Sequence, residues 1–160
     1  MADRSVTHAT FTLERLYPAP VARVFAAWAD PKVKARWFST PGADHELDFR
    51  VGGREVNRAR PDGGPSMTFE STYRDIVRDE RIVYTSVLHV GDGLATASLT
   101  TVEFRPAEGG TRLVLTEQGV YLDGREEPSW REHGTGDWLD ALGVELDVEP
   151  GGRVGAVGRE

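Results

Sequence analysis

The period of apolar and polar positions changes three times along this chain, and each change marks a new kind of element. From His8 to Tyr17, Phe11 and Leu13 alternate with Thr12 and Glu14, the period-two pattern of a strand. Pro18 and Pro20 end it. Val21, Val24, Phe25 and Trp28 then recur at i, i+3, i+4 and i+7, which predicts a short helix with Pro20 suited to its first position. Asp30 before Pro31 is a second helix start, an acidic cap ahead of a first-turn proline, with Val33 and Trp37 four residues apart behind it. Two small helices are expected nearly end to end, closed by a turn over Ser39 to Gly42.

From Ala43 to Val120 the period returns to two, and Gly/Pro/Asp clusters break the segment at Gly52-Gly53, Pro61 to Pro65, Gly91 to Gly93 and Glu108 to Gly110. Strands are predicted at about 44–51, 54–60, 66–77, 80–90, 95–105 and 111–119, an antiparallel meander joined by short loops. Alternation groups Leu47, Phe49 and Val51 on one face, then Met67, Phe69, Ser71 and Tyr73, then Ile82, Tyr84, Ser86 and Leu88. Thr100, Val102 and Phe104 share a face, as do Leu113 and Leu115. A sheet covered on one side turns such sets toward the cover and the intervening charged residues toward water.

The cover is expected to be a long helix over Pro128 to Leu146. Trp130, Gly134, Trp138, Ala141, Leu142 and Leu146 fall on one side of it at a 3.6-residue period, with Leu139 at the margin. Gly134 and Gly136 interrupt the pattern, each at a cost of roughly 1 kcal/mol relative to Ala, which suggests that something needs the space. Trp138, Leu142 and Leu146 are expected to anchor this helix on the sheet, while Trp130, His133 and Gly134 border any cavity. Glu145 projects onto the same stripe and is expected to reach back to water.

Composition narrows the class without naming a function. A chain of 160 residues, 39% hydrophobic and 28% charged, is globular in composition and long enough for a real core. One domain is expected over residues 1–149, followed by a flexible glycine-rich tail at 150–160. A net charge of −7 with scattered basic residues argues against binding a nucleic-acid backbone. No apolar run approaches the length of a membrane span, and MADRSVTHATF lacks the apolar core of a signal peptide, so a cytoplasmic protein is expected. The absence of cysteine excludes disulfides, a thiol nucleophile and a thiolate metal site.

The order of elements, one strand, two short helices, six antiparallel strands and a long helix, is that of an α+β helix-grip fold. The segments FTLERLYPAPVARVFAAWADPKVKARWF (Phe11 to Phe38), GGTRLVLTEQ (Gly109 to Gln118) and GTGDWLDALGVEL (Gly134 to Leu146) resemble the START-like superfamily, specifically its Hsp90-ATPase-activator-homologue branch. The resemblance spans about residues 8–147. It implies a curved sheet of about seven strands gripping the long helix, with a hydrophobic cavity between them. Within that superfamily are ligand carriers, co-chaperone modules linked to the stress response, and cyclase or aromatase enzymes, so the fold alone leaves function open.

The leading expectation is a domain that binds an apolar or amphipathic small molecule, working as a monomer or homodimer. A chaperone-assisting protein interaction module is the first alternative. An enzyme using His133, Tyr73 or Glu145 to move protons is the second, although no acid and base pair is legible in the spacing.

Trp37, Phe38, Phe69, Tyr73, Tyr84, Trp130, His133, Gly134 and Trp138 are the candidate ligand-binding residues, as aromatic walls with a few polar groups among them. His8, His45, His89 and His133 are isolated, without zinc-ligand spacing, so neither a metal nor another cofactor is expected. The paired glycines lack nucleotide-loop spacing, and no GxSxG occurs. Spacing does not settle the direction of Arg58 or Glu117.

Overall fold

The computed structural model describes residues 4–39, 42–149 and 153–154. Its elements in chain order are β1 (Val6–Tyr17), α1 (Val21–Ala29), α2 (Pro31–Phe38), β2 (Asp44–Leu47), β3 (Arg54–Ala59), β4 (Met67–Val77), β5 (Arg81–Val90), β6 (Gly93–Ala107), β7 (Gly110–Leu122), α3 (Pro128–Leu146), β8 (Val148–Glu149) and β9 (Arg153–Val154). Strands β2 to β7 form the expected meander. β1 returns to pair with β7, which gives a seven-stranded antiparallel sheet in the order β1-β7-β6-β5-β4-β3-β2. The two short helices and α3 lie against its inner face, as in a helix-grip fold.

Local chemistry accounts for the elements. Asp30 caps α2, its carboxylate accepting from the backbone N–H groups of Lys32 and Val33 at 2.9 and 3.4 Å. On the sheet, Ile82, Tyr84, Ser86 and Leu88 are all buried, and so are Thr100, Val102 and Phe104 on β6 and Leu113 and Leu115 on β7. Burial of this alternating set against Phe25, Trp28, Leu139 and Leu142 is the main source of stability. Tyr17 ties β1 to α3 by donating its hydroxyl hydrogen bond to the Leu139 carbonyl at 2.7 Å. Burial pushes the pKa of that phenol far above its ordinary value, so it remains a donor.

Two expectations fail locally. The strand expected at 44–51 stops at Leu47, and Val51 is exposed rather than inward beside Leu47 and Phe49. The chain between β2 and β3 folds on itself there. Gly53 donates to the Arg50 carbonyl, and a Cβ at Gly53 would stand 2.1 Å from the Asp48 oxygen.

The second failure is in α3, whose bounds are as expected but whose buried face is Arg131, Thr135, Gly136, Leu139, Leu142 and Leu146. Leu142 and Leu146 are buried as anticipated, whereas Leu139 lies at the centre and Trp130 is 63% exposed. The first half of the helix is rotated by an ionic contact, described below, that apolar periodicity cannot register. The tail expected at 150–160 lies outside the described residues except for Arg153–Val154, which pairs antiparallel with Val148–Glu149.

Candidate functional site

Between α3, the end of α2 and strands β3 to β5 lies a cavity of about 260 Å³. Its apolar wall is Phe38, Ala59, Met67, Phe69, Leu88, Trp130 and Trp138. Its polar groups are Asn57, Glu126, Arg131 and Thr135. Behind it a void of about 10 Å³ shares Phe38, Phe69, Arg131, Thr135 and Trp138 with the outer cavity and adds Trp28, Trp37, Tyr84, Leu115, Glu117 and Leu139. Phe38 and Trp138 form the partition between the two, their ring centres 4.3 Å apart.

The candidates from the sequence distribute themselves unevenly around this space. Phe38, Phe69 and Trp138 border both compartments, Trp37 and Tyr84 only the inner one, and Trp130 and Gly134 only the outer one. Tyr73 lines neither, because its hydroxyl is committed to Glu55 at 2.9 Å in the core. His133 is misplaced by the sequence reading. Its side chain is 82% exposed and reaches Asp137 at 3.5 Å on the outer face of α3.

The roles given to His133, Tyr73 and Glu145 in proton transfer therefore have no geometric basis. Glu145 accepts from Arg36 at 2.8 Å, away from the cavity. Arg58 points outward and pairs with Glu46 at 3.1 Å.

The two helix glycines differ in what surrounds them. A Cβ at Gly134 would meet nothing within 4 Å and would project into open space beside the cavity. At Gly136 it would stand 3.2 Å from the Arg15 guanidinium, which donates to the Gly136 carbonyl at 3.3 Å. Only Gly134 is next to the cavity; Gly136 makes room for a side chain of β1.

Two buried ionic clusters, neither anticipated as a whole, flank the cavity. The first surrounds Glu55 of β3. Lys34 donates to its Oε1 at 2.9 Å, Tyr73 to the same oxygen at 2.9 Å, and His45 Nε2 lies 2.7 Å from Oε2. The Lys34 ammonium also stands 4.3 Å from the ring centre of Phe38, 4.9 Å from Trp28 and 5.4 Å from Trp37, so aromatic faces shield its charge. Burial alone would raise the Glu55 carboxyl. The Lys34 charge and the hydrogen bonds from His45, Lys34 and Tyr73 outweigh it and hold the pKa below the ordinary value.

The second cluster joins β7 to α3. Arg131 Nη1 donates to Glu117 at 3.1 Å, Nη2 to Glu126 Oε1 at 2.9 Å, and Nε to both Glu126 oxygens at 3.1 Å. Thr100 donates to Glu117 at 3.0 Å and Thr96 to Glu126 at 2.5 Å. Here two carboxylates share one guanidinium. Burial raises the pKa of Glu117 and Glu126 adds to the rise, against the pull of Arg131 and Thr100. This contact turns the start of α3 inward and leaves Trp130 outside.

Both clusters left traces in the sequence. Glu117 has the same parity as Leu113 and Leu115, a trace of an inward position that its charge obscured. Lys34 precedes Trp37 and Phe38 by three and four residues, on one helix face. Among the described residues no three His, Asp or Glu side chains gather into a metal-holding group, and no helix is long and apolar enough to cross a membrane.

Known proteins place this geometry. The chain is similar to Mll3558 from Rhizobium loti, at 47% identity over 89% of this chain and 99% of that one, with a TM-score of 0.84. It is also similar to a protein from Rhizobium leguminosarum, at 43% identity over 92% and 99% of the two chains, with a TM-score of 0.87. CV1439 from Chromobacterium violaceum is 28% identical over 84% and 94%, with a TM-score of 0.71. No curated protein matches the chain. The family described as activator of Hsp90 ATPase homolog 1-like protein matches residues 18–147, across both buried clusters and the cavity between sheet and helix, and the chain belongs to that family.

Proposed function

We propose that this domain binds an apolar or amphipathic small molecule in the cavity between β3 to β5 and α3. The observation that carries the reading is the composition of the wall. Four aromatic rings, Phe38, Phe69, Trp130 and Trp138, stand around an accessible space of about 260 Å³, within reach of the lower end of small-molecule pocket sizes. A helix with Ala at position 134 would be more stable by roughly 1 kcal/mol, yet the chain keeps Gly134 there with nothing within 4 Å of its missing Cβ. The space is thus retained at some cost to the helix. Trp37 and Tyr84, against the inner void, come into play for ligands that displace the Phe38–Trp138 partition, and Tyr73 supports that wall from behind through Glu55.

N-phenyl-1-naphthylamine, a neutral fluorescent probe, tests this directly. The unaltered chain is expected to bind it and to shift the indole signals of Trp130 and Trp138. Gly134→Leu is expected to weaken binding at least tenfold while the melting temperature stays the same or rises. Equal binding by the two proteins would overturn the reading.

The family description supports a second reading, an interaction module for the chaperone Hsp90. Stimulation of the ATPase of a cognate Hsp90 by the intact chain is its test, and failure to bind that chaperone would remove it.

A further inference from the structure

Resting on the cavity reading, we infer that the site takes the polar end of its ligand as a hydrogen-bond donor, a neutral hydroxyl or an amine, and turns away carboxylates. The cation of the cavity wall is Arg131, and at first sight it invites an anion. Three of its five N–H donors are already engaged by carboxylates. Nε and Nη2 are held by Glu126 and Nη1 by Glu117, so one positive charge faces two carboxylates within 3.1 Å. A ligand carboxylate placed here would gain one attraction and meet two repulsions. Protonation of Glu117, whose pKa burial raises, brings this balance to zero without reversing it.

The acceptors show the complementary surplus. Glu126 lies on the cavity wall, and its Oε1 accepts from Thr96, Arg131 Nε and Arg131 Nη2. Among the described residues its Oε2 accepts only from Arg131 Nε, in a bond shared with Oε1. A carboxylate oxygen has two lone-pair directions, so Oε2 has room for a further donor. Asn57, whose amide donates to the Phe38 carbonyl at 3.3 Å and whose oxygen lies 3.2 Å from the Ser39 hydroxyl, is neutral and leaves this charge balance unchanged. The ligand class that follows is an aromatic or aliphatic body with an alcohol, phenol or amine at the end that meets Glu126.

Four probes of one ring system decide the matter: naphthalene, 2-naphthylmethanol, 2-naphthylmethylamine and 2-naphthoate, titrated by NMR on the intact chain with the Trp138 indole as reporter. The amine and alcohol are expected to bind roughly tenfold or more tightly than the carboxylate, the scale of one hydrogen bond to a charged group. Glu126→Gln is expected to abolish the advantage of the amine over naphthalene. Naphthalene binding together with a carboxylate as tight as the amine would overturn this inference alone. Binding of none of the four would overturn the cavity reading and this inference with it. Should Glu126→Gln fail to fold, the ranking on the unaltered chain decides the question.

Discussion

Glu55 and Glu117 are buried carboxylates on the inner face of the same sheet, one near each side, and their surroundings are opposite. Glu55 is 3% exposed and receives an ammonium, a phenol and an imidazole. Glu117 is 4% exposed and shares its single cation with Glu126. The first carboxyl is held below its ordinary pKa by its partners, whereas burial raises the second. The first cluster lines neither cavity compartment with its charged groups, and the second contributes to both. A cluster whose charged groups face one another, away from both compartments, serves to lock α2 to the sheet. An unbalanced cluster beside open space retains an acceptor, and the proposed ligand preference rests on it.

The largest expected effect tests the enclosed cluster. Lys34→Met leaves Glu55 buried without its cation, and loss of one partner of a buried pair costs about 3–5 kcal/mol. Urea unfolding should show a loss as large as that of Leu142→Ala, for which truncation of a fully buried leucine costs about 2–5 kcal/mol. Adding Glu55→Leu to Lys34→Met should recover much of it, because the unpaired charge is gone. A single Lys34→Met variant as stable as the parent would break the comparison at its base.

The pH dependence of stability sharpens it next. Glu55 has a folded pKa below 4.5, so its contribution is present above that pH and lost as pH falls through the folded value. Glu117 has a folded pKa above 4.5, so its contribution is greatest below that pH and is lost as pH rises through the folded value. Unfolding free energies measured across the acid range should therefore change in opposite senses on Glu55→Gln and Glu117→Gln. The acid-side loss is expected to flatten in the first variant and steepen in the second. Parallel profiles would show that the two carboxylates do not differ in this way.

The smallest effect concerns the rim. Trp130 is 63% exposed, and Trp130→Ala should change stability by no more than about 0.5 kcal/mol in a thermal melt. Its affinity for the neutral probe should nevertheless fall. A large loss of stability would place Trp130 among the anchors of the helix rather than at the border of the cavity.

The order and type of the elements were legible in the sequence, because strand and helix periods are local and the punctuation by Asp30-Pro31 and the glycine pairs is strong. So were the inward faces of β5, β6 and β7, since parity on a strand passes unchanged from one inward residue to the next. The residues that settle the chemistry were less visible. Lys34, Glu55, Glu117 and Arg131 are charged, and a pattern built on hydropathy sends charges to water.

What carried them inward was pairing across 21 positions for Lys34 and Glu55 and across 14 for Glu117 and Arg131. The strand register shows the same dependence. It aligns Tyr73, Tyr84, Thr100 and Glu117 in one row across four strands, and so sets Glu117 beside the hydroxyl of Thr100. By itself the sequence determined an antiparallel meander with a long helix to cover it, through local periods and turns. The tertiary structure decided which face of that helix turns inward, because the attraction between Arg131 and the buried Glu117 outweighs the apolar preference of Trp130 and exists only once the two elements have met.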